Sequence, residues 1–184
     1  MKIAKRVLRY LAGTTTARLH MGGMSGGGMV EVSSYTDTDF AADKSTRKSV
    51  SGVLVTFGGM PVGWQVKHQS SVALSTAEAE FVAAAVGAKE LLGVKNLLTE
   101  IGMQVAQPMH MMVDNQSAIE QIENETASRS SKHVDEKLKF VRGTSEKGVI
   151  NPTYVAMSEM LADIFTKSLP VSRKREFREK IGVK

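Results

Sequence analysis

The sequence predicts an α/β fold: a five-stranded mixed sheet, three antiparallel strands followed by two parallel ones, flanked by helices. Two observations carry this. Three β-rich runs with short connections come early in the chain, which favours an antiparallel meander. The apolar period then changes to that of helices, and two later β-like runs are each separated from their neighbours by a helix. Strands joined through helices pair in parallel by right-handed crossovers.

The elements follow in order. "AKRVLRYLAG" sets Val7, Leu8 and Leu11 on one face with Lys5, Arg6 and Arg9 nearby, and predicts a short amphipathic helix ending at Gly13. "GGMSGGGM" (22–29) has the composition of a flexible linker, so the compact domain is expected to begin after it. Strands are predicted at 29–37, 51–57 and 61–68, the last two joined as a hairpin through Gly58-Gly59, with Trp64 in the core. Residues 76–101 are predicted helical, with Phe81, Ala84, Ala88, Leu91, Leu92 and Val94 on the apolar side. Ser75 and Glu78 have the S-x-x-E spacing of a capping box, which gives Glu78 a structural role. Each helical residue turns the chain by about 100°, so Glu80 faces another way.

A short strand at 109–114 leads to Asn115, a cap for the helix opened by "NQSAIEQI". "SKHVDEKLKFVRGTSEKG" predicts a second amphipathic helix ending near Gly148. Residues 149–157 predict a strand, placed at an edge by Pro152, which has no N–H to donate. A last helix at 158–167 is stopped by Pro170, and the tail beyond it is charged and helical.

Composition narrows the function. The net charge is +5 with a pI of about 9.5, and the basic residues gather in the N-terminal helix, in 132–147 and in "SRKREFREK". That balance favours an anionic partner, most often nucleic acid. The chain has no cysteine, which excludes disulfides and thiolate metal sites and fits a reducing compartment. No apolar run is long enough for a membrane span, and the N-terminus lacks the pattern of a secretory signal. A cytoplasmic location is therefore expected, and "NET" (124–126) is read as a chance match to the glycosylation spacing.

The acids carry the chemistry. Asp37 closes the first predicted strand and Asp114 the fourth. If those strands are parallel neighbours, both carboxylates share the carboxyl edge of the sheet, where open α/β folds bind ligands. Glu80 sits early in the helix after the hairpin and Asp163 in the last helix. Four clustered acids repel one another. Divalent cations about 3.5–4 Å apart relieve that, and oxygen-only ligation suits Mg²⁺ or Mn²⁺. Nineteen acids offer many sets of four, however, and position alone does not select one.

The residues "YTDTDFAADKSTRKSVSGVLVTFGGMPVGWQVKHQSSVALSTAEAEFVAAAVGAKE", "VDNQSAI", "SKHVDEKLKFVRG" and "LADIFTKSLP", in this order, resemble the ribonuclease H region of a copia-type LTR retrotransposon polyprotein. "AKRVLRYLAGT" is similar to the segment joining that region to reverse transcriptase, and "KREFREKIGV" to the polyprotein's C-terminus. The resemblance implies an RNase H-like fold over 29–169, a connection segment at 1–28 and a tail at 170–184. It implies a D-E-D-D site of Asp37, Glu80, Asp114 and Asp163 holding two Mg²⁺ ions, with Mn²⁺ as a substitute. It further implies hydrolysis of the RNA strand of RNA–DNA hybrids during reverse transcription, an upstream reverse transcriptase domain as partner and, for an active element, location in a virus-like particle. Asp39 is the alternative to Asp37, Glu159 the alternative to Asp163, and Asp114 has a competing role as a helix cap.

For nucleic-acid contact the candidates are Asn115, Lys132, His133, Lys137 and Arg142, with Lys132, Lys137, Lys139 and Arg142 forming a strip along one helix. His133 has a competing structural role near Asp135. The chain departs from the family in three places. "FAAD" (40–43) stands where Trp-Ala-Gly-Asp is common, and Ala42 is expected to strain a turn that wants glycine. The loop "VAMSEM" has no histidine, although cellular ribonucleases H often carry a mobile one there. Met157 and Met160 stand where the family is more polar. The "FAAD" departure favours a second class of function, a decayed or domesticated fragment that binds nucleic acid or acts as an interaction module without cleaving.

Overall fold

The computed structural model describes residues 2–22, 28–124 and 132–184, with the side chains of 132–134 outside the description. Its elements are α1 (Lys2–Gly13), β1 (Val32–Asp39), β2 (Val50–Phe57), β3 (Met60–His68), α2 (Thr76–Glu100), β4 (Met109–Val113), α3 (Gln116–Glu123), α4 (Lys132–Glu146), β5 (Ile150–Tyr154), α5 (Asp163–Thr166) and α6 (Val171–Lys180). A single 3-10 turn, Met157–Glu159, precedes α5.

The five strands form one sheet in the order β3-β2-β1-β4-β5. The β1–β2 and β2–β3 pairs are antiparallel, and the β1–β4 and β4–β5 pairs are parallel. This is the predicted mixed sheet, with β5 and its Pro152 at one edge.

Alternation along the strands splits the interior in two. Val53 and Val55 of β2 join Phe81, Ala84, Ala88 and Leu91 of α2 in the larger core, which also takes in Ile122 of α3 and Leu138 and Val141 of α4. Leu54 points the other way and packs with Leu161, Phe177 and Ile181, so α6 covers part of the second face. Residues 18–20 run beside the C-terminus through backbone hydrogen bonds of Arg18 with Lys184 and of His20 with Gly182. Helix α1 has no buried residue; the ring of Tyr10 lies 5.2 Å from the Lys174 ammonium.

Three expectations are corrected. Trp64 is 63% exposed rather than in the core. It stands on β3, the edge strand at the other side of the sheet, and Val62 and Val66 on the same face are exposed with it. The continuous helix at 158–167 is absent: a 3-10 turn and the short α5 replace it. Met160 takes an extended conformation (φ -73°, ψ 93°), which separates the 3-10 turn from α5. Met160, Leu161 and Ala162, at this junction, are all buried. Finally, the left-handed residue in "FAAD" is Ala41 (φ 51°), not Ala42. The Ala41 N–H donates to Ser49 Oγ at 3.0 Å, which holds the turn in that conformation.

Candidate functional site

The register places the first two acids. Thr36 of β1 lies opposite Val113 of β4, so Asp37 and Asp114, one step further along parallel strands, sit side by side at the carboxyl edge. Asp114, expected to close its strand, lies one residue past the end of β4. Asp37 does not close its strand: Asp37, Thr38 and Asp39 still pair with Gly52, Ser51 and Val50. The turn that follows is capped by an acid further on. Asp43 accepts from the Ser45 N–H (2.8 Å), the Ser45 hydroxyl (2.7 Å) and the Thr46 N–H (3.2 Å). These hydrogen bonds hold its carboxyl well below the usual range.

Helix α2 supplies the third acid. Ser75 Oγ accepts the Glu78 N–H at 3.1 Å, and the Glu78 carboxylate accepts the N–H of Leu74 at 2.9 Å. Glu78 therefore works as a cap, reaching one residue further back than the usual box. Glu80, in the next turn, is turned towards the sheet edge. Thr38 Oγ1 (3.1 Å) and Gln69 Nε2 (2.9 Å) both donate to the Ala79 carbonyl and fix the helix start against β1. Gly87, further along α2, sits against Thr36 with no room for a Cβ, which sets the approach of the helix to the strand carrying Asp37.

The fourth acid, Asp163, opens α5. This short helix lies close on β2 because Gly52, the partner of Asp37 across the ladder, has no side chain. A Cβ there would stand 2.7 Å from Thr166 Cγ2 and 3.1 Å from Phe165 Cβ.

Each of Asp37, Asp114 and Asp163 offers an oxygen, and the three lie within 4.8 Å of one another. Glu80 stands outside that trio but feels it. Burial, then Asp37, then Asp114 push its carboxyl up to about 9, with Lys167 and the Thr38 N–H working against them. Its Oε2 is buried and has no hydrogen-bond partner among the described residues. Burial and then Asp37 raise Asp114, against Lys167. Burial also raises Asp163, opposed by its hydrogen bond to Lys167. A deep cluster of hard oxygen donors, one left unpaired, matches what a divalent cation such as Mg²⁺ requires. Glu159, the alternative to Asp163, is engaged elsewhere, with Lys180 Nζ 2.6 Å from its carboxylate.

Two neighbours went unrecognised in the sequence. Lys167 Nζ donates to Asp163 Oδ1 (2.7 Å) and Asp37 Oδ1 (3.0 Å) and lies 3.9 Å from Asp114 Oδ2. Thr166 Oγ1 donates to the other Asp37 oxygen. Burial alone would lower the Lys167 ammonium, but its hydrogen bond to Asp163 and the proximity of Asp37 outweigh that and raise it above the ordinary lysine value. The spacing from Asp163 to Lys167, four residues on a helix, was the available signal.

The nucleic-acid candidates separate. Asn115 caps α3, its Oδ1 accepting the Ala118 N–H at 3.1 Å, which leaves Asp114 free of that role. Lys137 lines a groove of about 690 Å³ with Lys67, Lys89, Gln65 and Phe140, between β3, α2 and α4. Arg142 donates to the carbonyls of Ile122 (2.9 Å), Gln121 (2.9 Å) and Asn124, closing the end of α3. Lys139 pairs with Asp135 at 2.8 Å. The side chains of Lys132 and His133 lie outside the described residues. Lys67 was missed; it pairs with Ser51, and Ser51 with Thr38, so it stands at the same sheet edge as Asp37, two strands across.

No protein-family model matches the chain. It is 35% identical over 179 residues (97% of the chain, 13% of the relative) to the retrovirus-related Pol polyprotein from transposon TNT 1-94 of Nicotiana tabacum. It is 32% identical over 183 residues (100% of the chain, 12% of the relative) to the Pol polyprotein from transposon RE1 of Arabidopsis thaliana. The chain thus spans about an eighth of the length of these relatives. Among solved structures, LC11 RNase H1 in complex with an RNA/DNA hybrid superposes with a TM-score of 0.54 at 14% identity, covering 73% of this chain and 93% of that one. The N-terminal RNase H domain of rv2228c from Mycobacterium tuberculosis gives 0.52 at 12% identity, covering 82% and 97%. The chain is therefore related in sequence, along its whole length, to the Pol polyproteins of copia-type retrotransposons, and it has the ribonuclease H fold.

Proposed function

We propose that the chain is a divalent-metal-dependent ribonuclease H that hydrolyses the RNA strand of RNA–DNA hybrids, serving reverse transcription in a retrotransposon. The observation that carries this is the meeting of Asp37, Asp114 and Asp163 beside a buried, unpartnered Glu80 oxygen at the carboxyl edge of the sheet. The Pol relationship supports the setting, in which residues 1–28 would lead from an upstream reverse transcriptase domain.

Asp37 and Asp114 would hold both cations, Glu80 would complete the coordination of one and Asp163 that of the other. Divalent metal held by these carboxylates would supply activation of a water and stabilisation of the leaving 3′-oxygen. The chain's own part is to fix these carboxylates. Gln69 and Thr38 anchor the start of α2 and so aim Glu80, while the bare backbone at Gly52 lets Asp163 approach Asp37. Lys67, Lys89 and Lys137 line the groove together with Glu90 and Glu136, and these lysines would meet phosphates, so affinity is expected to fall with salt. Contacts to the 2′-hydroxyl would select the RNA strand.

The test is the purified protein with a labelled RNA–DNA hybrid and Mg²⁺ or Mn²⁺, beside D114N and E80Q. Cleavage of wild type alone, leaving 3′-hydroxyl and 5′-phosphate ends, is expected. Cleavage surviving both substitutions would reject the site. Equal cutting of duplex DNA would reject the specificity, and binding without cleavage would favour a retired element.

A further inference from the structure

We propose that Lys167 is the built-in counter-cation of the carboxylate cluster, holding the aspartates together without metal and competing with divalent cations for their oxygens. The inference rests on the metal-binding reading above. It goes further, because it makes metal affinity a property tuned by a residue that is not a ligand.

Geometry carries the argument. Lys167 Nζ lies 2.7 Å from Asp163, 3.0 Å from Asp37 and 3.9 Å from Asp114, so one ammonium touches or approaches all three members of the trio. Both oxygens of Asp37 are engaged, Oδ1 by Lys167 and Oδ2 by Thr166. A cation shared by Asp37 and Asp163 would sit against the ammonium held between their Oδ1 atoms, where two positive charges repel strongly. The ammonium must therefore leave before or as the metal enters. Its exit is open, because the Lys167 side chain is 30% exposed. Lysine is also a point charge on a flexible stem, so the head can swing out without its neighbours. The backbone stays in place meanwhile, because the Lys167 N–H donates to the Asp163 carbonyl at 2.9 Å.

This differs from an ordinary surface ion pair. Asp37 is almost wholly buried and Asp163 nearly so, which makes their charges expensive unless a cation is present. Lys167 meets that need only partly, one positive charge facing three aspartates, and a divalent ion meets it better. The cluster is thus poised to exchange one cation for another.

The experiment is calorimetric titration of Mn²⁺ into wild type, K167M and D114N at fixed ionic strength and pH. K167M is expected to bind Mn²⁺ roughly tenfold tighter or more, the scale on which an opposite charge within about 4–6 Å biases a neighbouring equilibrium. D114N is expected to lose binding. Unchanged affinity in K167M, with D114N still abolishing binding, would overturn the counter-cation role and leave the metal site standing. Absence of Mn²⁺ binding in both wild type and K167M would overturn both. Should K167M fail to fold, the wild type answers by NMR: Mg²⁺ is expected to move the Lys167 Cε and Nζ resonances towards those of a free lysine, and resonances that stay put at saturation would overturn the proposal.

Discussion

Glu80 gives the most exacting prediction, because its protonation couples folding to metal. In the metal-free protein its carboxyl is pushed up to about 9, by burial first and then by Asp37 and Asp114, from an ordinary value of 4.5. Between those values the unfolded chain has released the proton and the folded chain keeps it. The folded state binds more protons, so stability falls as pH rises, by about 1.36 kcal/mol per pH unit for one group. From about pH 5.5 to 8.5 the ceiling is roughly 4 kcal/mol, and relaxation of the protein around the ionised carboxylate brings the expectation to about 2 kcal/mol. Asp114 and Asp163, also raised, add a slope of the same sign beginning at lower pH. The raised Lys167 contributes stability that is lost only in more alkaline solution. The assay is urea unfolding in EDTA across this range for wild type and E80Q. Wild type should weaken with pH, and E80Q, with no proton to lose, should weaken less by about 2 kcal/mol. With Mg²⁺ in excess the wild-type slope should flatten or reverse, because the metal holds the charged form. Parallel metal-free profiles for the two proteins would refute the reasoning, since the histidines and remaining acids are common to both.

Three further outcomes follow from the packing. Gly52→Ala puts a Cβ 2.7 Å from Thr166 Cγ2. That overpacking is expected to cost about 1–3 kcal/mol and, by moving α5 and Asp163, to weaken Mn²⁺ binding in calorimetry. Arg142→Met removes the donors from three carbonyls at the end of α3. The loss is expected to be about 1.5–3 kcal/mol in urea unfolding, with hybrid affinity changed little once folded protein is compared. Trp64 is exposed on an edge strand, so Trp64→Ser is expected to leave thermal stability close to that of wild type. Surface changes of this kind usually stay within about 0.5 kcal/mol, and a clearly larger loss would restore the tryptophan to a packing role.

The sequence by itself determined what neighbours along the chain control. The three-strand meander, the Ser75–Glu78 cap, the Asn115 cap and the edge strand with Pro152 are set by alternation, helical period and capping chemistry within a few residues. Asp37, Glu80, Asp114 and Asp163 were legible as a set only through resemblance, since their positions alone did not choose them among nineteen acids. Tertiary structure decided the rest, because burial and proximity between distant segments leave no local trace. It brought Asp163 beside Asp37 through the bare backbone at Gly52 and set a 3-10 turn, an extended Met160 and the short α5 where a continuous helix was expected. It left Trp64 exposed on an edge strand whose alternation looks the same as that of an inner one. It turned Arg142 back onto α3 and set Lys167 among three aspartates, where the charge of one side chain depends on where the others have been packed.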